Sequence, residues 1–72
     1  MPVVNVKVIE GVFSQDQKQE MIRRMTDVLV DLEGAYMRPF TVVVIEEVKS
    51  GDWGVGGKAL SSADVKALAG GK

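Results

Sequence analysis

Two runs of β-branched residues, separated by one amphipathic segment, constrain the fold of this chain more than any other feature. The first run lies in residues 1–10 and the second in residues 39–47, and both are rich in valine and isoleucine, which favour β-strands. Between them, in residues 14–33, apolar side chains recur at intervals of one, three or four, which is typical of one helix face. Strand, helix and strand form a β-α-β unit, so we expect parallel strands with a right-handed crossover.

Local signals mark both ends of the predicted helix. Ser14 offers an N-cap oxygen, and Gln17, three residues later, completes a capping-box pattern. Gly34 supplies the glycine that commonly ends a helix. We expect the apolar face to belong to the core, and it consists of Met21, Ile22, Met25, Val28, Leu29 and Leu32.

The C-terminal part of the chain has the composition of turns and a short helix. Residues 50–60 are dense in glycine around the only tryptophan, Trp53, and predict a short hairpin or bulge. Trp53 either packs within this turn or forms the aromatic wall of a pocket. Residues 61–72 predict a short helix, capped near Ser61, and a tail. Residues 1–72 are thus predicted to form one α+β domain, a β-α-β subunit with a short C-terminal hairpin.

The size of the chain predicts assembly into an oligomer. A lone domain of 72 residues buries only about 60% of the surface that its unfolded chain exposes. Yet 46% of the residues are apolar, and without cysteine no disulfide can stabilise the fold. Because two strands and one helix leave one sheet face bare, we expect another subunit to cover that face.

Composition also argues against several functions. Nine basic and ten acidic residues give a net charge of −1, whereas a nucleic-acid-binding surface needs a basic excess. The absence of cysteine and histidine excludes the usual zinc sites. No apolar run approaches the roughly 18 residues of a membrane span, and no signal-peptide pattern opens the chain. We therefore expect a cytoplasmic protein without a metal, a nucleic-acid partner or a membrane partner.

Pro2 is the candidate for catalysis. Proline lacks a backbone N–H and is tolerated at the first position of a strand. If Met1 is removed, Pro2 becomes a chain-terminal secondary amine. An α-amino group titrates at roughly 7.7–8.0, and a hydrophobic setting lowers the pKa of an ammonium group, so this nitrogen could act as a general base near neutral pH. Alternatively, the Met1-Pro2 pair has no chemical role.

Several features, in order along residues 2–60, match one known family. They are Pro2, Ile9-Glu10-Gly11, Asp16-Gln17-Lys18, Ile45-Glu46-Glu47 and the turn Gly51-Asp52-Trp53-Gly54-Val55-Gly56-Gly57. Together they resemble the 4-oxalocrotonate tautomerase family of small β-α-β subunits. Each motif is modest on its own, and the whole set in a chain of this length is specific.

This resemblance implies an isomerase that needs no cofactor. In the family, the amino-terminal proline nitrogen moves a proton between atoms of an enol or dienol acid, and Pro2 matches that proline. The resemblance also implies a hexamer, usually a trimer of dimers, whose sites are built across subunit boundaries. Trp53 matches the aromatic residue that lines the family's pocket, and Val3 and Ile9 match apolar wall positions.

The chain departs from the family at its two arginines. Val12, or Phe13 if a one-residue insertion is placed differently, stands at the first position, and Val42 falls at the second. Without these guanidinium groups a dicarboxylate would be held poorly, so we expect an enol or unsaturated acid with one carboxylate or none. Arg38 is the candidate replacement that binds a carboxylate, and Lys58 is a second candidate. The alternative for Arg38 is an ordinary surface arginine.

Two other functions stay open at this point. A dehalogenase or hydratase relative would use the same proline to activate or protonate an unsaturated acid, usually with an additional carboxylate that activates water. A subunit without chemistry of its own would serve as the arginine-poor partner of a homologous subunit in a mixed hexamer. Lys7 is expected to extend along a subunit contact rather than to meet substrate.

Overall fold

The chain folds as the predicted β-α-β unit with a C-terminal hairpin, in a computed structural model that describes residues 2–70. The elements are β1 (Val3–Ile9), α1 (Gln15–Glu33), a 3-10 helix (Ala35–Phe40), β2 (Val42–Val48), β3 (Trp53–Val55), β4 (Lys58–Leu60) and α2 (Ser62–Ala69). Met1, whose removal would free the Pro2 nitrogen, and residues 71–72 of the predicted tail lie outside the described residues. Within residues 2–70, no helix combines the length and apolarity needed to cross a membrane.

The parallel pairing of β1 with β2 confirms the predicted strand arrangement. Val3 lies opposite Val42, and the register continues without a bulge to Ile9 opposite Val48. Hydrogen bonds extend the ladder at both ends. The Val42 N–H donates to the Pro2 carbonyl oxygen at 3.1 Å, and the Glu10 N–H donates to the Val48 carbonyl oxygen at 2.8 Å. Pro2 is therefore held as a continuation of β1.

Both predicted ends of α1 are confirmed in detail. The Gln17 N–H donates to Ser14 Oγ at 3.1 Å, and the Ser14 N–H donates to Gln17 Oε1 at 2.8 Å, which is a complete capping box. Gly34 follows the helix with a φ of 108°, a conformation that L side chains rarely adopt. A Cβ atom there would also lie 2.9 Å from the Tyr36 ring, so glycine is required.

The second strand begins later than the sequence predicts. Residues 39–47 were the expected span, whereas Pro39 and Phe40 belong to the 3-10 helix and β2 starts at Val42. Local hydrogen bonds explain the difference, because the Met37 N–H donates to the Gly34 carbonyl oxygen at 3.1 Å and the Thr41 N–H donates to the Arg38 carbonyl oxygen at 3.3 Å. These bonds continue the helical turn through Phe40, although aromatic residues are enriched in strands.

The core of the described chain is small. Its buried apolar residues are Val8, Ile9, Val30 and Leu60. Val30 is absent from the predicted helix face, yet it is the buried residue of α1, because the helix turns this side toward the sheet. Two members of the predicted face, Val28 and Leu32, remain 60% and 83% exposed. The apolar face of α1 is therefore wider than the two strands of this chain can cover.

One face of the sheet is likewise open in the single chain. On β2, Val42 and Val44 are exposed, although their continuous β-branched run predicts a strand covered on both sides. On β1, Val3 is exposed on the same face. Within residues 2–70, no element covers the part of this face that carries Val3, Val42 and Val44, which leaves apolar area of the kind that subunit contacts usually bury.

The capping box of α1 provides a direct test of the fold. We expect Ser14→Ala to lower the free energy of unfolding by about 1 kcal/mol, within a range of roughly 0.5–2, because the Gln17 N–H loses its acceptor. Urea denaturation measured by circular dichroism checks this value. Gln15→Ala, at the neighbouring exposed position, is the control and is expected to be neutral. Equal losses in the two variants would contradict the role of the cap.

Candidate functional site

The predicted site residues fall into two groups at opposite ends of the sheet. The group at the amino-terminal ends of the strands comprises Pro2, Val3, Arg38 and Val42. The group at the other end comprises Ile9, Val12 and Trp53. The seven residues of β1 span about 23 Å at 3.3 Å per residue, so one chain cannot bring the groups together. A site that uses both groups needs two chains.

Pro2 is half-buried at the start of β1, next to the pair formed by Val3 and Val42 at the strand ends. Its carbonyl oxygen accepts the Val42 N–H, which fixes the residue relative to both strands. Val3 and Val42, which lie opposite each other in the ladder, are 66% and 40% exposed. This end of the sheet therefore presents an open apolar surface beside a rigidly held proline.

Arg38 lies at the same end of the sheet as Pro2, in the 3-10 helix that leads into β2. Its Nη2 atom is 2.7 Å from Oδ1 of Asp27 on α1, and both side chains are more than half exposed. Exposed ion pairs of this kind contribute roughly 0–1 kcal/mol, so exchanging Asp27 for a ligand carboxylate costs little. The structure thus places Arg38 near the end that carries Pro2, paired but accessible.

The end of the sheet that carries Trp53 is organised by Glu10, a role that the sequence reasoning missed. The Ser50 N–H donates to Glu10 Oε2 at 2.8 Å, and the Ser62 hydroxyl donates to the Glu10 carbonyl oxygen at 2.5 Å. The Ser62 N–H in turn donates to Ser50 Oγ at 2.9 Å. The sequence feature that could have indicated this role is a glutamate at the end of a strand, directly before a glycine. These bonds join β1, the loop after β2 and the start of α2.

Trp53 begins the predicted hairpin, which the structure confirms. It lies opposite Leu60 in an antiparallel pair, and the two strands are joined by Gly56 and Gly57. These glycines have φ values of 60° and 85°, as a type I′ turn requires at both central positions. Leu60 is buried, whereas Trp53 is half-buried and Val55 is 60% exposed. The hairpin is anchored by Leu60 and presents Trp53 at its base.

An apolar groove lies between α1 and β1. Its volume is about 370 Å³, and its lining residues are Val4, Arg24, Met25, Val28 and Leu29. Within residues 2–70, β1 pairs only with β2, so its other edge has free backbone donors and acceptors. An unpaired strand edge beside exposed apolar side chains has the features of a surface for another chain.

Charged residues near the sheet are mostly engaged with one another. Glu20 pairs with Arg23 and Arg24 on α1, and Lys18 Nζ lies 3.0 Å from Glu47 Oε2. Among residues 2–70, no three histidine, cysteine, aspartate or glutamate side chains lie close enough to hold a metal ion. The described chain therefore offers single carboxylates in ion pairs rather than a cluster of ligands.

The open sheet face carries one polar cluster, formed by Asn5, Lys7 and Glu46. Both Asn5 Nδ2 and Lys7 Nζ donate to Glu46 Oε1 at 2.8 Å. The hydrogen bond from Lys7, followed by that from Asn5, holds the pKa of Glu46 below its usual value. Lys7 is thus occupied with Glu46 on the sheet surface, about midway between the two groups of site residues.

The cluster predicts a pH dependence of stability. Because the pKa of Glu46 is lower in the folded chain, its contribution is present above the unfolded value of 4.5 and is lost as pH falls through the folded value. Glu46→Gln should therefore lose less stability than the parent protein between about pH 5 and pH 3. Urea midpoints across this range measure the effect, with Asp52→Asn as control. Parallel curves for the parent and Glu46→Gln would contradict it.

Comparison with known proteins agrees with the geometry. The protein family described as Tautomerase enzyme matches residues 2–63. A probable tautomerase of Dickeya dadantii is 36% identical over 61 residues, which cover 85% of this chain and 90% of that protein. A probable tautomerase of Staphylococcus aureus is 42% identical over 57 residues, which cover 79% of this chain and 90% of that protein.

Solved structures show the same likeness. YwhB, a homologue of 4-oxalocrotonate tautomerase, superposes with a TM-score of 0.73 at 34% sequence identity, covering 85% of this chain and 97% of that chain. A 4-oxalocrotonate tautomerase isozyme from Methylibium petroleiphilum superposes with a TM-score of 0.72 at 28% identity, covering 89% and 97% of the two chains. The likeness therefore extends over nearly the whole of both proteins.

Proposed function

The chain belongs to the tautomerase family, and from this premise we propose that it is a cytoplasmic, cofactor-independent isomerase that moves a proton within an enol or dienol acid. Pro2, after removal of Met1, serves as the general base and then as the general acid. The observation that carries this proposal is the position of Pro2. It begins the segment that matches the family, and the Val42 N–H holds it at the end of β1.

The chemistry needs only one nitrogen that accepts and returns a proton. The neutral secondary amine of Pro2 takes the proton from the enol hydroxyl of the substrate, and the electron pair moves along the conjugated system. The resulting ammonium group then donates the proton to a carbon atom. One O–H bond is broken and one C–H bond is formed, so the reaction consumes no other reactant. A positioned base of this kind contributes roughly 10²–10⁴-fold.

We propose that the complete site forms between two copies of the chain, within a hexamer. The free edge of β1 and the exposed residues Met25, Val28 and Leu32 of α1 support this arrangement. A twofold axis beside β1 would pair the two copies of this strand in antiparallel orientation. Pro2 of one copy would then lie near the Ile9 and Trp53 end of the other copy.

Arg38 is the proposed carboxylate-binding residue, because it combines exposure with a position at the end of the sheet that carries Pro2. A guanidinium group binds a carboxylate through two parallel hydrogen bonds, which also orients the substrate. The apolar residues Val3, Val12, Val42 and Trp53 would line the remaining wall, whereas Ile9 is 3% exposed and belongs to the core behind it. This wall suits an enol or unsaturated acid with a single carboxylate.

The catalytically inactive subunit of a mixed hexamer is the second candidate. It is favoured by Val12 and Val42, which leave apolar side chains at both positions where the family resemblance implies arginine. A hydratase or dehalogenase activity would need a further carboxylate. Glu33, at the end of α1, accepts a hydrogen bond from the Thr41 hydroxyl and is already engaged. The two candidates differ in whether the chain alone has activity.

Removal of the proposed base gives the primary test. Pro2→Ala, compared with parent protein whose lack of Met1 is verified by mass, should lower the rate of ketonisation of phenylenolpyruvate by two or more orders of magnitude. Pro39→Ala is a matched control, because the chain has 2 prolines and Pro39 lies in the 3-10 helix. Rates near background in the parent protein would favour the inactive subunit instead.

The role of Arg38 is tested by comparing KM with kcat, because a binding residue affects KM more than kcat. Arg38→Ala should raise KM for the same substrate about tenfold or more, since a hydrogen bond to a charged group contributes about 1.5–3 kcal/mol, while kcat changes little. Arg23→Ala, which removes a guanidinium group from the outer surface of α1, is the control. An unchanged KM in Arg38→Ala would show that Arg38 is a surface residue without a role in binding.

A further inference from the structure

A second groove lies at the end of the sheet opposite Pro2. Its volume is about 380 Å³, and its lining residues are Val12, Gln17, Lys66, Ala69 and Gly70. This volume falls within the range of small-molecule sites, which is about 300–1,000 Å³. The groove is formed by the turn after β1, the first turn of α1 and the C-terminal helix α2. We define it as the Lys66 groove.

The position of Lys66 follows from the way in which α2 begins. Ser62, the first residue of α2, is held by hydrogen bonds to the Glu10 carbonyl oxygen and to Ser50 Oγ. Residues four apart lie on the same face of a helix, so Lys66 follows Ser62 along the side that faces the turn after β1. The helix itself is stabilised by a capping box between Ser61 and Asp64. The anchored helix thus brings Lys66 to the same groove as Val12.

The groove combines a cation with an available amide donor. The ion pairs within residues 2–70 engage other basic residues, namely Lys7, Lys18, Arg23, Arg24 and Arg38, and none of them includes Lys66. Gln17 uses its Oε1 atom to accept the Ser14 N–H, which leaves Nε2 as a donor with no acceptor in the described chain. Val12 and Ala69 supply apolar surface between these groups.

We propose that Lys66 is a carboxylate-binding, specificity-determining residue of the tautomerase site. In the antiparallel arrangement of two copies, the end of β1 that carries the Lys66 groove lies beside Pro2 of the other copy, so this inference rests on the proposed function. The Lys66 ammonium group and Gln17 Nε2 bind the carboxylate of an unsaturated or enol monocarboxylic acid, whose apolar body contacts Val12. Carboxylate binding then depends on a cation in α2 as well as on Arg38.

A pair of isosteric probes tests this role without requiring turnover. Cinnamate and cinnamamide differ in charge and share the same apolar body, and calorimetry measures the dissociation constant of each with the assembled protein. The parent protein should bind cinnamate about tenfold or more tightly than cinnamamide. Lys66→Gln should reduce this ratio severalfold and leave the part that Arg38 contributes, and Lys66→Arg should retain most of the parent ratio. The control Arg23→Gln, which removes a charge of the same sign, should leave the ratio unchanged.

The outcomes separate this inference from the proposed function. An undiminished ratio in Lys66→Gln, or a parent protein that does not prefer cinnamate, would overturn the role of Lys66 even if Pro2→Ala abolishes ketonisation. Conversely, a ratio that falls in Lys66→Gln and is kept in Pro2→Ala supports the carboxylate site whatever the activity of Pro2. Sedimentation of each variant verifies that the assembly is intact, so that a loss of binding reports on the side chain.

Discussion

The parallel pairing of β1 with β2 is the constraint on which the rest of this structure depends. Parallel neighbours need a crossover connection, and α1 supplies it with a capping box at Ser14 and a glycine end at Gly34. The uninterrupted register from Val3–Val42 to Ile9–Val48 then fixes which residues lie at each end of the sheet. Pro2 is held at one end and the hairpin with Trp53 at the other. Within one chain, the residues proposed for catalysis and for substrate binding are therefore separated by the length of one strand.

The separation of the two groups of site residues is linked to the small size of the hydrophobic core. A two-stranded sheet and one helix bury few apolar residues, and the chain leaves Val28, Leu32 and Val44 at its surface. Hydrophobic area that one chain cannot bury favours association. The same association would bring the two ends of neighbouring sheets together. In this proposal, the exposed apolar surface around β1 and α1 both stabilises the oligomer and assembles the site.

The two candidate carboxylate-binding cations lie outside this apolar surface. Val12 and Val42 are apolar where the resemblance to the family implies arginines, and the candidate cations lie on other elements. Arg38 is carried by the 3-10 helix before β2, and Lys66 is carried by α2. Both helices sit at the ends of the sheet rather than within it, where a long basic side chain can reach a ligand without entering the core. Substrate preference in this chain is thereby proposed to depend on its connecting segments.

The sequence by itself determined the local features of the fold, because each depends on residues that are near neighbours in the chain. The caps of α1, the glycine hairpin and the two strands follow from hydrogen-bonding groups and backbone preferences within a few residues. The sequence also pointed to Pro2 through a pattern of short motifs. The tertiary structure decided which residues of distant segments meet. It placed Val30 in the core, joined Glu10 to Ser62 and brought Lys66 and Val12 into one groove. Such contacts depend on register and packing direction, which no local pattern encodes.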